Sequence, residues 1–409
     1  MEIVHPRCCG IDVHKASVVA CLRIEESRRA RREIRRFGTT TTELLQLHRW
    51  LTEAGCTHVA IESTSIYWKP IFNILEGTFE VVLANAYHVK AVPGRKTDVK
   101  DCEWLADLLA HGLIRASFIP PPEIRALRDL TRHRKSLLRD RVAAVNRVHK
   151  LLESANIKLG NVMTDVMGVS GRAMLNALAG GERDPEKMSQ LARGCLVPRV
   201  AALAEALRGT FTDDHAFLLR QLLTQNDQLT ALITACDQRI NELMSPHDDA
   251  LRRLQVIPGV GRRSVEVLIS EIGVDMSRFV SASHLASWAR ICPGTHESAG
   301  KRRGTSTGVG NNWLRTTLLE SAWAASHSKK SYLGTQFRRV AKRRGPKRAA
   351  IAVAHSILVI AYYILRDGRD YQDLGPDHFD RTNVTKLRRY HLRRLADLGC
   401  DVSALAQSA

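Results

Sequence analysis

Acid is in short supply in this chain: its 409 residues carry 42 Asp and Glu against 61 Lys and Arg, a formal charge of +19 and an isoelectric point near 9.9. Such a surface excludes a basic partner as the main ligand and favours a polyanion, of which nucleic acid is the commonest. Paired-cysteine motifs are missing too. None of the nine cysteines forms a C-x-x-C pair and no His/Cys cluster has zinc spacing, so the thiols are expected to be idle in a reducing cytoplasm. No G-x-x-x-x-G-K-[ST] loop is present, so chemistry driven by nucleotide hydrolysis is not expected. "MEIVHPRCCGIDVHK" has no apolar core of a signal peptide. One long apolar run exists, "AAIAVAHSILVIAYYILRDG" from Ala349. It is apolar for about 17 residues, the lower limit for a bilayer span, and contains His355, Ser356 and paired tyrosines; it reads as a buried helix, with no membrane partner.

What is present is clustered positive charge: "RRARREIRR" at 28–36, "KRR" at 301–303, "RRVAKRRGPKR" at 338–348 and "KLRRYHLRR" at 386–394. One such run is ordinarily a solvated face; four together point to a polyanion-binding surface. Apolar content of 44% supports folded cores, and the length suits two or three domains.

The first 120 residues alternate strand and helix signals. "CCGIDVHK" and "SVVACLRI" suit a β-hairpin, to which "REIRRFGT" adds a third strand. "TTTTELLQLHRWLTEAG" has helical spacing, threonines to cap it and Gly55 to stop it. "HVAIES" and "FEVVLANA" are further strands flanking a helix in "SIYWKPIFNILEG", and "TDVKDCEWLADLLAHGLI" is helical. An α/β domain over 1–120 follows. From Pro120 the pattern turns helical, with Leu130, Leu137, Ala144 and Leu151 every seven residues and arginines elsewhere, as on a helix with one packed and one wet basic face. Residues 160–200 are weakly patterned. Leu219, Leu222, Asn226, Leu229, Ile233, Cys236, Ile240 and Leu243 form a heptad seam, which suits either a coiled coil between chains or a hairpin with the 122–155 helix. After the break at "SPHDD", "LRRLQVIPGVGRRSVEVLISEIG" has the form of a helix-hairpin-helix. Gly259 and Gly261 would let backbone N–H groups approach a phosphate, though a plain tight turn reads equally well.

Four acids carry the chemistry. Asp12 sits among buried-type residues of the first strand, and Glu62 ends a later one; each costs several kcal/mol unless paired or bound to a cation. Asp98 and Asp101, three apart at a helix start, face the same way. With an RNase H-like order of elements, this set suggests a site for two Mg2+ or Mn2+ ions, flanked by Arg95, Lys96 and Lys100 as nucleic-acid contacts.

"GIDVHK", "AIEST", "GRKTDVKD", "IPGVG" and "ESAGKRRG", in this order and spacing, resemble the DEDD transposases of the IS-one-ten family of insertion sequences over residues 8–368. The resemblance implies a RuvC-like domain over 1–120 with its acidic tetrad on Asp12, Glu62, Asp98 and Asp101. A helical coiled-coil region over 121–248 and a mainly α C-terminal transposase domain over 249–368 would follow, and a basic tail over 369–409 lies outside the resemblance. It also implies a nucleoid-associated bacterial-type recombinase acting on donor and target DNA, guided by a non-coding RNA. Strands would be exchanged through a covalent 5′-phosphoserine in a dimer or tetramer whose composite site joins protomers. The family's serine falls on Ser298, with Ser287 and Ser306 nearby. From spacing alone, "THESAGKRRGTS" at 295–306 is better explained by a loop that only grips phosphate through Lys301, Arg302 and Arg303, and the resemblance reverses that preference. A metal-dependent junction nuclease and a non-enzymatic nucleic-acid-bridging protein are the alternatives.

Overall fold

The apolar alternation of the first 40 residues closes on itself as a meander. β1 (Arg7–Val13) pairs antiparallel with β2 (Ser17–Glu26), and β2 with β3 (Arg29–Gly38). Two parallel strands complete the sheet, β4 (His58–Glu62) beside β1 and β5 (Glu80–Ala84) beside β4, in the order β3-β2-β1-β4-β5. Parallel neighbours require crossovers, supplied by α1 (Thr41–Glu53) and α2 (Trp68–Leu75). Thr40 caps α1 by accepting from Glu43 N, while the Glu43 carboxylate accepts from Gly38 N at 3.1 Å and from the Thr40 hydroxyl at 2.9 Å. The computed structural model describes residues 2–26, 29–62, 65–84, 101–292, 297–298, 301–302, 307, 310–382 and 384–399. It divides into two compact units, Met1–Ile119 and Pro120–Ala409.

Side chains alternate across β1, so its two faces have different partners. Cys9, Ile11 and Val13 join Leu44, Leu47 and Leu51 of α1 and Ile71 and Leu75 of α2 in one core. Cys8 meets Ala60, Ala84, Leu105, Leu108 and Leu109 on the other face, beneath α3 (Asp101–Ala110). Between them, Gly10 lets α3 settle directly on the strand. A Cβ there would lie 2.2 Å from the Cys102 carbonyl oxygen and 2.4 Å from Ala106 N.

The second unit is built on two long helices, α4 (Pro122–Ser154) and α5 (Asp213–Met244). They pack against each other antiparallel: Leu151 and Leu152 near the end of α4 share a core with Leu219 and Leu223 near the start of α5, while Arg134 meets Asp237 further along. The heptad seam is therefore used within the chain, with Leu219, Ile233 and Ile240 buried and Asn226 half-buried. Short helices between residues 155 and 212 close the open end of this hairpin. Beyond α5 come α6 (Asp248–Gln255), α7 (Arg262–Ile272), α8 (Asn312–Ser326), α9 (Tyr332–Arg344) and α10 (Pro346–Asp367). α10 is long and apolar enough to cross a membrane, but half of that stretch is buried, against α8 and α9 among others. Gly259, at φ +83°, brings the α6–α7 turn against α8, where a Cβ would fall 2.4 Å from the Ser321 carbonyl oxygen.

The wet basic face expected of α4 is not wholly wet. Arg134 is 3% exposed and bonds to Glu266 at 2.6 Å and Asp237 at 2.8 Å, while Arg132 forks onto Glu271 at 2.7 and 2.8 Å. Arg128 donates to the Ser270 and Glu271 carbonyls at 3.1 and 2.6 Å. Glu266 and Glu271 are both at most 2% exposed on α7, and a buried carboxylate needs such partners more than α4 needs hydration.

Gly10→Ala is expected to destabilise the protein by at least the roughly 1–3 kcal/mol typical of overpacking, because the new methyl meets backbone rather than a yielding side chain. Urea unfolding monitored by circular dichroism reads it, and an unchanged midpoint contradicts this packing.

Candidate active site

Strand register brings two of the sequence-predicted acids side by side. β1 and β4 run parallel with Ile11 opposite Ile61, so Asp12 and Glu62 occupy the next positions on adjacent strands. Both follow the period-two face of Gly10 and Ala60, the face covered by α3. α3 begins with Asp101, and its first turn is the part that lies over Gly10 through Cys102. Asp12, Glu62 and Asp101 are thus carried to one end of the sheet by three elements. The hydrogen bond with Cys21 holds the Cys102 thiol below its ordinary value, against burial and the nearby charges of Glu103 and Asp12.

The environments differ. The Asp12 side chain is 15% exposed, with Oδ2 3.2 Å from His14 Nε2, whose side chain is 63% exposed. Glu62 is 8% exposed, and among the described residues no hydrogen bond or ion pair reaches its carboxylate. A buried carboxylate without a cation is costly, and an all-oxygen donor set suits Mg2+ or Mn2+, so the acids fit a hard divalent ion. Among the described residues no cluster of three or more Asp, Glu, His or Cys side chains encloses a metal position. The fourth acid, Asp98, lies outside the described residues, as do Arg95, Lys96, Lys100, Arg303 and Ser306.

α3 is held in place by charge that sequence patterning did not single out. Asp107 accepts from Arg23 Nε at 3.1 Å and from Arg32 Nη2 at 2.9 Å at both carboxylate oxygens, joining α3 to β2 and β3. Arg23 is 5% exposed. Arg32 belongs to the basic run at 28–36, so part of that run is engaged inside the fold. The available signals were an aspartate inside the apolar "WLADLLA" and an arginine inside "ACLRI". His14, two residues after Asp12 and just beyond the end of β1, was not singled out either.

Four buried thiols of the first unit are held protonated. Burial raises Cys8 to about 11 and Cys56 to about 12, and pushes Cys9 well above its ordinary value. A hydrogen bond to Cys102, with burial, raises Cys21.

In the second unit, Ser298 pairs with Lys301, and Glu297 with Arg302, in a two-stranded antiparallel ladder. The backbone of the predicted nucleophile and that of two predicted phosphate contacts are therefore neighbours. Ser287 lies exposed on a separate helix, Ala282–Trp288. At the α6–α7 turn, Gly259 is required by the close approach of α8. A Cβ on Gly261, the N-cap of α7, would meet nothing within 4 Å.

A DEDD-type transposase model matches residues 9–157, spanning the three described acids, and a model described as transposase of the IS116/IS110/IS902 family matches residues 251–338, spanning the Ser298 ladder. A putative transposase of Sinorhizobium fredii is 23% identical over 282 residues, covering 68% of this chain and 64% of its own length. The pilin gene-inverting protein of Moraxella bovis is 28% identical over 165 residues, covering 40% of this chain and 49% of its own. The transposase for insertion sequence element IS1111A of Coxiella burnetii is 22% identical over 297 residues, covering 71% and 72%. Alignment with the first two spans less than two thirds of their lengths. The class is that of insertion-sequence transposases, and this chain belongs to the IS110 (IS-one-ten) family within it.

With a disulfide-exchange reagent at pH 8, native protein is expected to react first at the exposed Cys195, while Cys8, Cys9, Cys21, Cys56 and Cys102 react only after unfolding. Mass mapping of labelled peptides reads the order, and rapid native labelling of Cys102 or Cys21 contradicts the packing of α3 on the sheet.

Proposed function

We propose that this chain cuts and rejoins DNA as the recombinase of an insertion element, with Ser298 as the nucleophile and Asp12, Glu62, Asp98 and Asp101 as a carboxylate site. The observation that carries the proposal is the placing of Asp12, Glu62 and Asp101 at one end of a sheet ordered 3-2-1-4-5. We read that order, with its antiparallel meander and two parallel strands, as an RNase H-like (RuvC-like) domain. The family match over the Ser298 ladder and a relative named for inverting a pilin gene favour rejoining over cleavage alone.

The carboxylates would hold Mg2+ or Mn2+, two ions at full occupancy, supplying electrophilic stabilisation of a phosphate under attack. Ser298 Oγ attacks the scissile phosphorus, its proton ends on the departing 3′-oxygen, and a 5′-phosphoserine and a free 3′-hydroxyl result. The 3′-hydroxyl of the recombining strand then attacks the phosphoserine and returns the proton to Ser298. One phosphodiester is exchanged for another, so no nucleotide hydrolysis is needed. Lys301, Arg302 and Arg303 offset the charge of the pentacoordinate phosphate. His14 orients Asp12. We infer that the site is completed in a dimer or tetramer, the carboxylates of one protomer acting with the serine of another. Base pairing by a guide RNA would select donor and target, leaving the protein to grip backbones through its basic runs.

Incubation of the purified chain with its element-end DNA, its guide RNA and Mg2+ is expected to give a protein–DNA adduct stable in denaturing gels. Ser298→Ala and Asp12→Ala are each expected to reduce adduct by at least a hundredfold. Continued strand cleavage by Ser298→Ala, with Asp12→Ala inactive, would replace this account with the metal-dependent nuclease reading.

A further inference from the structure

The basic run at 338–348 lies beside a cleft of about 1200 Å³ among α8, α9 and α10. Its rim carries Arg315, Arg344, Lys347 and Arg348, and no carboxylate is among the described residues that line it. Arg344, Lys347 and Arg348 are exposed. A cleft this cationic suits an anion, yet its walls are not those of a simple phosphate site.

Trp323 of α8 is 44% exposed and also lines the cleft, its ring tilted against Phe337 at 5.2 Å between centroids. Ala350, Ile351 and Ala352 of α10 also line it. A half-exposed indole, apolar side chains and cations lining one cleft provide stacking and charge together. Gln336 adds a polar group. Its side-chain nitrogen donates to Ser356 Oγ at 2.9 Å, while its Oε1 is buried without a hydrogen-bond partner. A buried acceptor left open in this way costs about 1–3 kcal/mol unless a ligand supplies a donor. His355, also on α10, is held below its usual value by burial, so it meets a ligand as a neutral imidazole at pH 7.

We propose that this cleft takes an unpaired nucleotide, its base stacked on Trp323 with a ring or exocyclic N–H donated to Gln336 Oε1, and its flanking phosphates held by Arg344, Lys347 and Arg348. The proposal rests on the nucleic-acid recombinase reading and gives it a site for an extruded or single-stranded base. Neither paired duplex nor a protein partner presents a flat donor-bearing ring between two phosphates. Thr307, which also lines the cleft, follows soon after Ser298 in sequence.

The test titrates the full chain into DNA and RNA single strands carrying one 2-aminopurine, and into a duplex in which that base is paired. Single strands are expected to be quenched on binding and the duplex unchanged, and the arm that binds more tightly identifies the strand. Trp323→Ala is expected to abolish the quench and weaken binding about tenfold, with Trp323→Phe restoring most of the affinity. Gln336→Leu is expected to weaken binding about fivefold without changing the circular dichroism spectrum. Quenching and affinity unchanged in both Trp323→Ala and Gln336→Leu overturn the proposal. Ser298→Ala, which removes the adduct, is expected to bind and quench like the wild type, so failure of the serine chemistry and failure of this cleft are read separately.

Discussion

The absence of one Cβ sets the geometry on which the candidate site depends. With hydrogen at Gly10, the first turn of α3 lies directly on β1, and that contact fixes where Asp101 stands relative to the strand that carries Asp12. Any side chain at residue 10 would lift the helix and carry Asp101 away with it. The Asp107 fork onto Arg23 and Arg32 holds the middle of the same helix, so α3 is positioned by close backbone contact near one end and by charge further along. Parallel pairing of β1 and β4 then supplies Glu62 beside Asp12 without further adjustment.

The second unit is organised by charge of a different kind. Glu266 and Glu271 are buried on α7 and satisfied by arginines of α4, and Asp237 of α5 shares Arg134 with Glu266. Such a network adds little net stability over an apolar core, but it fixes which faces of α4, α5 and α7 meet, because a slip by one turn would strand a buried carboxylate. The contrast with the first unit is chemical. Every acid in the α7 network has an arginine, whereas no cation reaches the buried Glu62 among the described residues.

Much of the fold was legible in the sequence. Alternation in "CCGIDV" and "ACLRI" marked the strands, and threonine capping and leucine spacing marked α1, because these signals are local. A mixed sheet followed by mostly helical chain is what those patterns implied. The heptad seam marked α5 but left open whether its partner lay within the chain, since a seam specifies an apolar face and not which helix covers it. The arginines of α4 misled, because composition cannot tell a solvated cation from one turned inward onto a carboxylate more than a hundred residues away. At the site, Asp12 and Glu62 stood out as acids in apolar strands. Gly10, Asp107 and His14 did not, because their importance lies in what packs over or beside them.

The account turns on whether the acids at the sheet end gather a divalent cation. Titration of Mn2+ into the full-length protein, with free Mn2+ followed by electron paramagnetic resonance, measures this without requiring DNA, RNA or turnover. Saturable binding in the wild type, weakened at least tenfold in both Asp12→Asn and Glu62→Gln while the fold is retained, is the predicted result. Equal Mn2+ binding by the wild type and both variants would contradict the account, placing the metal elsewhere and leaving Asp12 and Glu62 as structural acids.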